Sequence, residues 1–589
     1  MSSVSPVSSS TIQTSLPTKI SSLDQYYELY NLSIEKPDIF WTLAAKRLKW
    51  LKFPTIIKNT SFDHLSDKNI LIKWYEDGIL NVCFNCLDKH IEHDSSVAKQ
   101  TAFIFEPDEI NGTVKHLTYG ELLEQVKKFG NVLKKHGVKK GDRVTIYLPM
   151  ILEACIALLA CARIGAVHSV VFAGFSANNL AERISDCNSS IIITSDFSFR
   201  GGKCTPLKSK TDQALKQLHP FQIKTVIVIN QGRDAQNVNI PLSSTFEWIN
   251  GRDYWYHQEM ENVSNVCPPE PMNAEDPLFI LYTSGSTGKP KGILHTTGGY
   301  LVYVSLTFQY VFAYNPGEIY MCTADIGWIT GHSYVVYGPL SNRATSVSPC
   351  AELKIHSISL YLRHILMPHE LQAGSATLPF FGIQTQIVDR ETHNLLTPPC
   401  TGELCIKDSW PGQARSIYNK HEHFVDVYFK PYRGLYFTGD GCEIKENGYH
   451  WLTGRVDDVL VISGHNIGTA EVESALVLHP AVSEAAVVGY PDPKKNQGMY
   501  CFVTLRNNQK ETDKQELITF VKEHIGAHVY PDVIHFTPDL PKTRSGKIMR
   551  RILRKIAEPD IENLGDTSTL TDPTIVDELI STCPRSRKI

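Results

Sequence analysis

The residues with the most chemistry in them form one short run, Thr283-Ser284-Gly285-Ser286-Thr287-Gly288-Lys289-Pro290-Lys291-Gly292, directly after the apolar stretch Pro277 to Tyr282. That stretch reads as a buried strand, and a glycine-rich loop leaving a buried strand can wrap an anion. Glycines let backbone N–H groups converge, the hydroxyls add donors, and Lys289 and Lys291 bring positive charge to where a triphosphate would lie. A Walker-type loop is excluded by spacing: that motif needs four residues between its first Gly and its Gly-Lys pair, then Ser or Thr. Here only Ser286 and Thr287 intervene, and Pro290 follows Lys289. A plain surface loop is the alternative, but such loops rarely gather this many donors after a buried strand. A second candidate, Cys83 and Cys86 with His90 beyond them, looks like half a zinc site. No second C-x-x-C occurs and a tetrahedral site needs four ligands, so these read as buried thiols in an apolar helix.

A phosphate-wrapping loop needs a sheet to hold it. Thr118 and Glu121 have capping-box spacing, and Leu122, Val126, Phe129 and Leu133 recur at helical intervals before Gly137. Next come a strand at Arg143 to Leu148, a helix from Met150 to Ala162, a strand at Val167 to Phe172, a helix after Ser176 and a strand at Ser190 to Thr194. This βαβαβ order predicts an α/β fold, with a parallel sheet covered on both faces and ligands beyond the carboxyl ends of its strands. Elements after Val456 differ in character: a helix from Ala470 to Leu478, strands at Ala485 to Gly489 and Tyr500 to Leu505, a helix after Thr512 and a strand at Val533 to Phe536. They predict a small C-terminal α+β domain over 456–589, behind a large N-terminal domain over 21–455 and a disordered Ser/Thr/Pro-rich tail over 1–20.

Composition narrows the function. With 589 residues, 42% hydrophobic and 20% charged, the chain has ordinary globular usage, and its net charge of -4 offers no global field for a polyanion. No nucleic-acid partner is expected. The apolar run Ile151 to Ile164 is too short for a membrane span and carries Glu153 and Arg163, so no membrane partner is expected either. The first twenty residues lack the features of a secretory signal or transit peptide, and fourteen cysteines without framework spacing suit a reducing compartment, so the expected location is the cytoplasm.

Tyr282 to Gly292, YTSGSTGKPKG, resembles the signature loop of the adenylate-forming superfamily. Further stretches are similar to its acetate–CoA ligases: Gly165 to Cys187, Thr323 to Leu340 (TADIGWITGHSYVVYGPL), Gly402 to Tyr418, Tyr436 to Gly441 (YFTGDG), Gly454 to His465 and Pro541 to Arg551 (PKTRSGKIMRR). The resemblance implies ATP, CoA and Mg2+ as cosubstrates and cofactor, and acetate as the acid activated. It implies that Thr283, Ser284, Gly285, Ser286, Thr287, Gly288, Lys289 and Lys291 hold the phosphates of ATP, with Asp440 on its ribose and Arg455 beside it. Lys547 matches the catalytic lysine bridging carboxylate and ribose oxygens, and Asp457 the hinge of the small domain. Arg200, Gly201, Gly202, Lys203, Thr330, Ser463 and Lys522 match CoA contacts, and Ile329 and Thr330 the acyl pocket. Val477, His479 and Val482 match a small-domain metal site offering mainly carbonyls.

Between Leu340 and Gly374 the pattern breaks. Related ligases place there a GEP loop for adenine and a DTWWQTETGG loop carrying the acyl-pocket tryptophan and a magnesium-holding glutamate. Neither motif occurs in this chain, in which SPCAELKIHSISLYLRHILMPHE leads straight on to LQAGSATLPFFG. Asn466 stands where the family has an arginine, and Lys522 where a CoA-contacting arginine is expected. Two functions follow: an acetate–CoA ligase, or a truncated member that binds CoA, nucleotide or a partner without completing adenylation.

Overall fold

The computed structural model describes residues 14–66, 69–107, 113–200, 203–219, 222–231, 246–283, 290–349, 371–372, 374–462, 465–492, 495–506, 512–525, 529–543, 546–558, 560–561, 564, 567 and 570–584. Internal contacts divide the chain into two units. The first comprises Met1–Glu370, Phe380–Gln384 and Asp408–Gly434, the second Leu371–Pro379, Thr385–Lys407 and Leu435–Ile589. The expected junction between Arg455 and Val456 lies inside the second unit, where continuous antiparallel pairing carries the chain through Arg455. Among the described residues no helix is long and apolar enough to cross a membrane.

The first unit is built on an eight-stranded sheet. In spatial order its strands are Asp253–Trp255, Thr225–Ile229, Ile191–Ser195, Arg143–Tyr147, Val167–Val170, Pro277–Thr283, Lys291–Thr296 and Ser416–Ile417. The first six are parallel, and Lys291–Thr296 runs antiparallel to its neighbours on both sides. Parallel strands need crossovers, and the helices Leu152–Ile164 and Ala177–Cys187 supply two of them. The Leu152–Ile164 helix is buried nearly all round, which explains its lack of a polar face. Its one cation, Arg163, forms a bidentate pair with Asp88 at 2.8 and 3.0 Å and donates to the Cys267 carbonyl at 2.6 Å. The predicted capping box is present: Thr118 N–H donates to Glu121 Oε2 at 2.9 Å and Glu121 N–H to Thr118 Oγ1 at 3.2 Å.

Cys83 and Cys86 are buried in a short helix, and no disulfide joins the described cysteines. Burial pushes the Cys83 thiol up to about 12, and His90 spends its Nε2 on the Leu340 carbonyl at 2.8 Å. Part of the expected tail is docked: Ile20 is buried, and the Thr18 carbonyl accepts from Gln309 at 2.5 Å and that of Pro17 from Tyr310. Polar composition hid this because one apolar side chain and backbone carbonyls suffice to fasten a segment.

In the second unit, five antiparallel strands run in the order Leu395–Leu396, Thr385–Val388, Cys400–Ile406, Tyr436–Ile444 and His450–Arg455. A separate three-stranded sheet joins Val482–Asp492, Asn496–Leu505 and Val533–Phe536. Alternate residues of its strands feed two cores. Ala485, Val487, Cys501 and Val503 pack with Val472 and Leu476 of the Thr469–Leu478 helix and with Leu517 and Val521 of the Lys514–His524 helix. Ala486, Val488, Tyr500 and Phe502 pack with Ile552 and Ile556 of the Arg550–Ala557 helix and Leu579 of the Thr574–Ser581 helix. The period of two thus reads directly as a sheet with helices on both faces.

Candidate functional site

In the first unit the glycine-rich loop is the connection between two hydrogen-bonded strands. Pro277–Thr283 and Lys291–Thr296 pair antiparallel, with Thr283 opposite Lys291. Ser284, Gly285, Ser286, Thr287, Gly288 and Lys289 lie outside the described residues. What is visible is how the feet of the loop are held. Gly292 lets its backbone approach Tyr282 closely: a Cβ there would come within 3.0 Å of the Tyr282 ring and 2.8 Å of Ile280. The Gly292 carbonyl also accepts from the Tyr418 N–H at 2.7 Å. Pro277–Thr283 runs parallel to Val167–Val170, so the loop leaves the sheet at a carboxyl edge, the usual place for ligands in such folds.

Arg200 and Lys203 face each other across a two-stranded hairpin, Ser198–Arg200 with Lys203–Thr205; Gly201 and Gly202 between them lie outside the described residues. Ile329 and Thr330 occupy the short helix Ile329–Gly331 and are exposed, so both are open to a ligand. They follow Trp328, whose ring lies 5.8 Å from that of Phe172. Beneath this segment His332 stacks on His168 at 5.4 Å, and the His168 Nε2 pairs with the Tyr337 hydroxyl at 3.0 Å. Burial holds His332 down to about 4, His295 down to about 3, and His168 well below the usual histidine range. The floor of the segment is therefore neutral at physiological pH. The expected break over 348–370 falls almost wholly outside the described residues; up to it, Thr345–Pro349 continues a parallel pairing with Thr101–Glu106.

In the second unit the register brings Asp440 and Arg455 together as a direct cross-strand pair. Arg455 Nη1 lies 3.3 Å from Asp440 Oδ1 and donates to the Thr438 carbonyl at 3.1 Å. Thr438 also orients the aspartate, since its Oγ1 accepts the Asp440 N–H at 3.1 Å. Gly439 is required between them: its φ is +77°, and a Cβ would come within 2.6 Å of the Arg455 guanidinium. Neither Thr438 nor Gly439 was singled out from the sequence, although both lie inside the YFTGDG motif.

Asp457 lies in the 3-10 turn Val456–Asp458, and Ser463 lies outside the described residues, between the paired strands Val459–Ile462 and His465–Gly468; Asn466 stands opposite Val461. Lys547 closes a turn in which Thr543 N–H donates to the Lys547 carbonyl at 2.8 Å and Lys547 N–H to Thr543 Oγ1 at 3.1 Å. Its charged neighbours are committed. Lys542 pairs with Glu484 and with Asp539 at 2.9 Å, Arg550 with Glu473 at 2.6 Å, and Arg554 with Asp458. Lys547 is exposed, and among the described residues its ammonium meets no carboxylate. Lys522 stands over the Tyr530 ring at 4.6 Å, a partner the sequence reading did not find.

Val477, His479 and Val482 gather where the Thr469–Leu478 helix turns into the next strand. The His479 carbonyl accepts the Val482 N–H at 3.0 Å, and the Val482 carbonyl accepts Arg506 Nε at 3.0 Å. A dication on that oxygen would sit beside a permanent guanidinium charge, so the donors as arranged do not fit a magnesium ion. No group of three or more His, Cys, Asp or Glu suited to a metal occurs among the described residues.

A glycine-rich loop between strands of a mainly parallel sheet in the first unit, and a lysine closing a turn in the second, are the features to set beside known enzymes, and the class that matches is the AMP-binding enzymes. The family description "AMP-binding enzyme" matches residues 93–359, and "AMP-binding enzyme C-terminal domain" matches 471–547. The fold is similar to that of acetoacetyl-CoA synthetase from Streptomyces lividans, with a TM-score of 0.80, 19% identity, and 96% of this chain and 95% of that one covered. "Acetyl-coenzyme A synthetase N-terminus" matches residues 26–86. The chain is 48% identical to the acetyl-coenzyme A synthetase of Bartonella quintana (strain Toulouse) over 642 aligned positions, covering 95% of this chain and 96% of that protein. It is 49% identical to that of Sinorhizobium fredii (strain NBRC 101917 / NGR234), with 94% and 96% covered. The chain belongs to the acetyl-coenzyme A synthetase family. Its alignments run longer than its own 589 residues, so these relatives hold residues within the aligned span for which this chain has none.

Proposed function

We infer that the protein is an ATP-dependent acetate–CoA ligase. An acetate oxygen attacks the α-phosphorus of ATP, the bond to pyrophosphate breaks, and acetyl-AMP forms. The thiolate of CoA then attacks the acyl carbon, the bond to the AMP oxygen breaks, and acetyl-CoA and AMP leave. Mg2+ arrives with ATP as its phosphate counterion. The observation that carries the reading is Lys547: in a basic stretch where Lys542, Arg550 and Arg554 are spent on carboxylates, it alone of these is exposed, at the closing end of a hydrogen-bonded turn. A point charge so placed suits an oxyanion that develops in the adenylation transition state.

The half-exposed Asp440 carboxylate, oriented by Thr438 and backed by Arg455, suits the two hydroxyls of a ribose. Thr283 and Lys291, at the feet of the loop Thr283 to Gly292, point to the phosphates as its ligand. Arg200, Lys203, Thr330, Ser463 and Lys522 are assigned to CoA, Ile329 and Thr330 to the acyl group, and Asp457 to a hinge, all on their motifs. The domain limits 21–455 and 456–589 rest on the same motifs. We place the protein in the cytoplasm, a reading supported by the described cysteines, which are mostly buried and joined by no disulfide.

The test uses the 589-residue protein as it stands. Incubated with acetate, ATP, Mg2+ and CoA, it should yield acetyl-CoA and AMP in equal amounts and support acetate-dependent ATP–pyrophosphate exchange. A protein folded by circular dichroism that shows no exchange yet binds CoA would overturn the adenylation reading in favour of a truncated binding protein.

A further inference from the structure

We propose that Asp186 is a positioning residue for ATP, fixing the strand from which the phosphate loop departs. The proposal rests on the reading that the loop from Thr283 to Gly292 holds the triphosphate. Asp186 lies near the end of the Ala177–Cys187 helix and reaches two partners with its two oxygens. The Tyr282 hydroxyl donates to Oδ2 at 2.8 Å, and Lys420 Nζ lies 2.7 Å from Oδ1. Tyr282 immediately precedes the loop, and the Arg183 guanidinium lies 5.7 Å from its ring centroid. The same ring also borders Gly292 at the far foot, so a single side chain touches both ends of the loop. Tyr418 packs into the same cluster and holds the Gly292 carbonyl. If the ring shifts, both feet move.

The two Asp186 bonds are unequal. Tyr282 is buried, and its hydroxyl left without an acceptor would carry the full cost of a desolvated donor. Lys420 is 42% exposed beside a cavity of about 480 Å³ whose lining includes Asp186, Lys420 and Pro290, so water readily replaces that contact. The Tyr282–Asp186 bond is therefore the one that positions the loop.

Steady-state constants of the full-length enzyme test this. In Asp186→Ala and in Tyr282→Phe the KM for ATP should rise about tenfold, while those for CoA and acetate stay unchanged. The double variant should be no worse than either single one, because both delete one interaction. Asp186→Asn, which keeps an acceptor for the hydroxyl, should recover most of the loss, and Lys420→Met should change the KM for ATP by less than about twofold. A purely structural role would lower the melting temperature and kcat without singling out ATP. Lys291→Ala serves as the control on the underlying reading. If it raises the KM for ATP while Asp186→Asn, Asp186→Ala and Tyr282→Phe, all folded, leave it unchanged, the positioning role is wrong. If Lys291→Ala also leaves it unchanged, the assignment of the loop to phosphate fails first.

Discussion

Replacing Asp440 by alanine separates the role of that carboxylate in the fold from its role toward ATP. Its ion pair to Arg455 spans 3.3 Å between side chains that are 36% and 52% exposed. Pairs this open contribute at most about 1 kcal/mol, so the melting temperature should fall by no more than about 4 °C. Binding is another matter. A carboxylate accepting two ribose hydroxyls makes two charge-assisted hydrogen bonds of about 1.5–3 kcal/mol each, and losing one alone weakens ATP about 10- to 150-fold. The assay is acetate-dependent ATP–pyrophosphate exchange as a function of ATP, beside a thermal melt of the same preparation. Asp440→Asn should fall between, since an amide oxygen still accepts one bond. A KM for ATP within about twofold of the parent, accompanied by a melting point lowered by much more than about 4 °C, would show that Asp440 serves the sheet and would refute this reasoning.

Lys547→Ala should abolish acetyl-AMP formation while thiolysis of supplied acetyl-AMP survives; equal loss of both half-reactions would contradict an adenylation-only lysine. Asp88→Ala strands the buried Arg163 guanidinium, and denaturant titration should show about 3–5 kcal/mol of lost stability, against less than that when Asp88→Met and Arg163→Met are combined in one chain. Stability should also fall as the pH drops from about 6.5 toward 4 and stay flat above 6.5. The cause is that His332 and His295, held down to about 4 and about 3 in the folded chain, are protonated first in the unfolded one. Urea midpoints across that range check it, and a midpoint unchanged at a pH of about 4.5 would be inconsistent with buried neutral rings. Calorimetry should find CoA bound by the parent and bound more weakly by Arg200→Ala.

What could be read from the sequence was what is local. Thr118 and Glu121 sit three residues apart, so their capping box is written in one turn of chain, and the alternation of strands and helices from Arg143 to Ser195 follows from periodicity. Pairing across the sheet is not local. Nothing in Ser416 and Ile417 announces an antiparallel edge beside Lys291–Thr296, and Arg163 gave no sign of Asp88, which lies 75 residues away. The helices Arg550–Ala557 and Thr574–Ser581 escaped notice for a different reason. The first is so basic that its four core residues, Ile552, Leu553, Ile556 and Ala557, are masked by three arginines and a lysine. In each unit the motifs named candidate residues, whereas the side chains and turns beside them (Asp186 in the first; Thr438, Gly439, Tyr530 and Arg506 in the second) emerge only when register and packing bring them alongside.

The two-faced sheet of the second unit also shapes how this protein can vary between species. Neighbouring positions along its strands answer to different helices: Ala485 and Val487 to Val472 and Leu476, but Ala486 and Val488 to Ile552 and Ile556. Substitutions should therefore drift in concert at alternate positions and independently at adjacent ones. The two helix pairs become separate compartments of inheritance, divided by a single layer of backbone. The Lys547 turn leads into the Arg550–Ala557 helix of one compartment, and the Arg550–Glu473 ion pair is the tie from that helix to the other, so Glu473 is the position of the opposite face that should vary least.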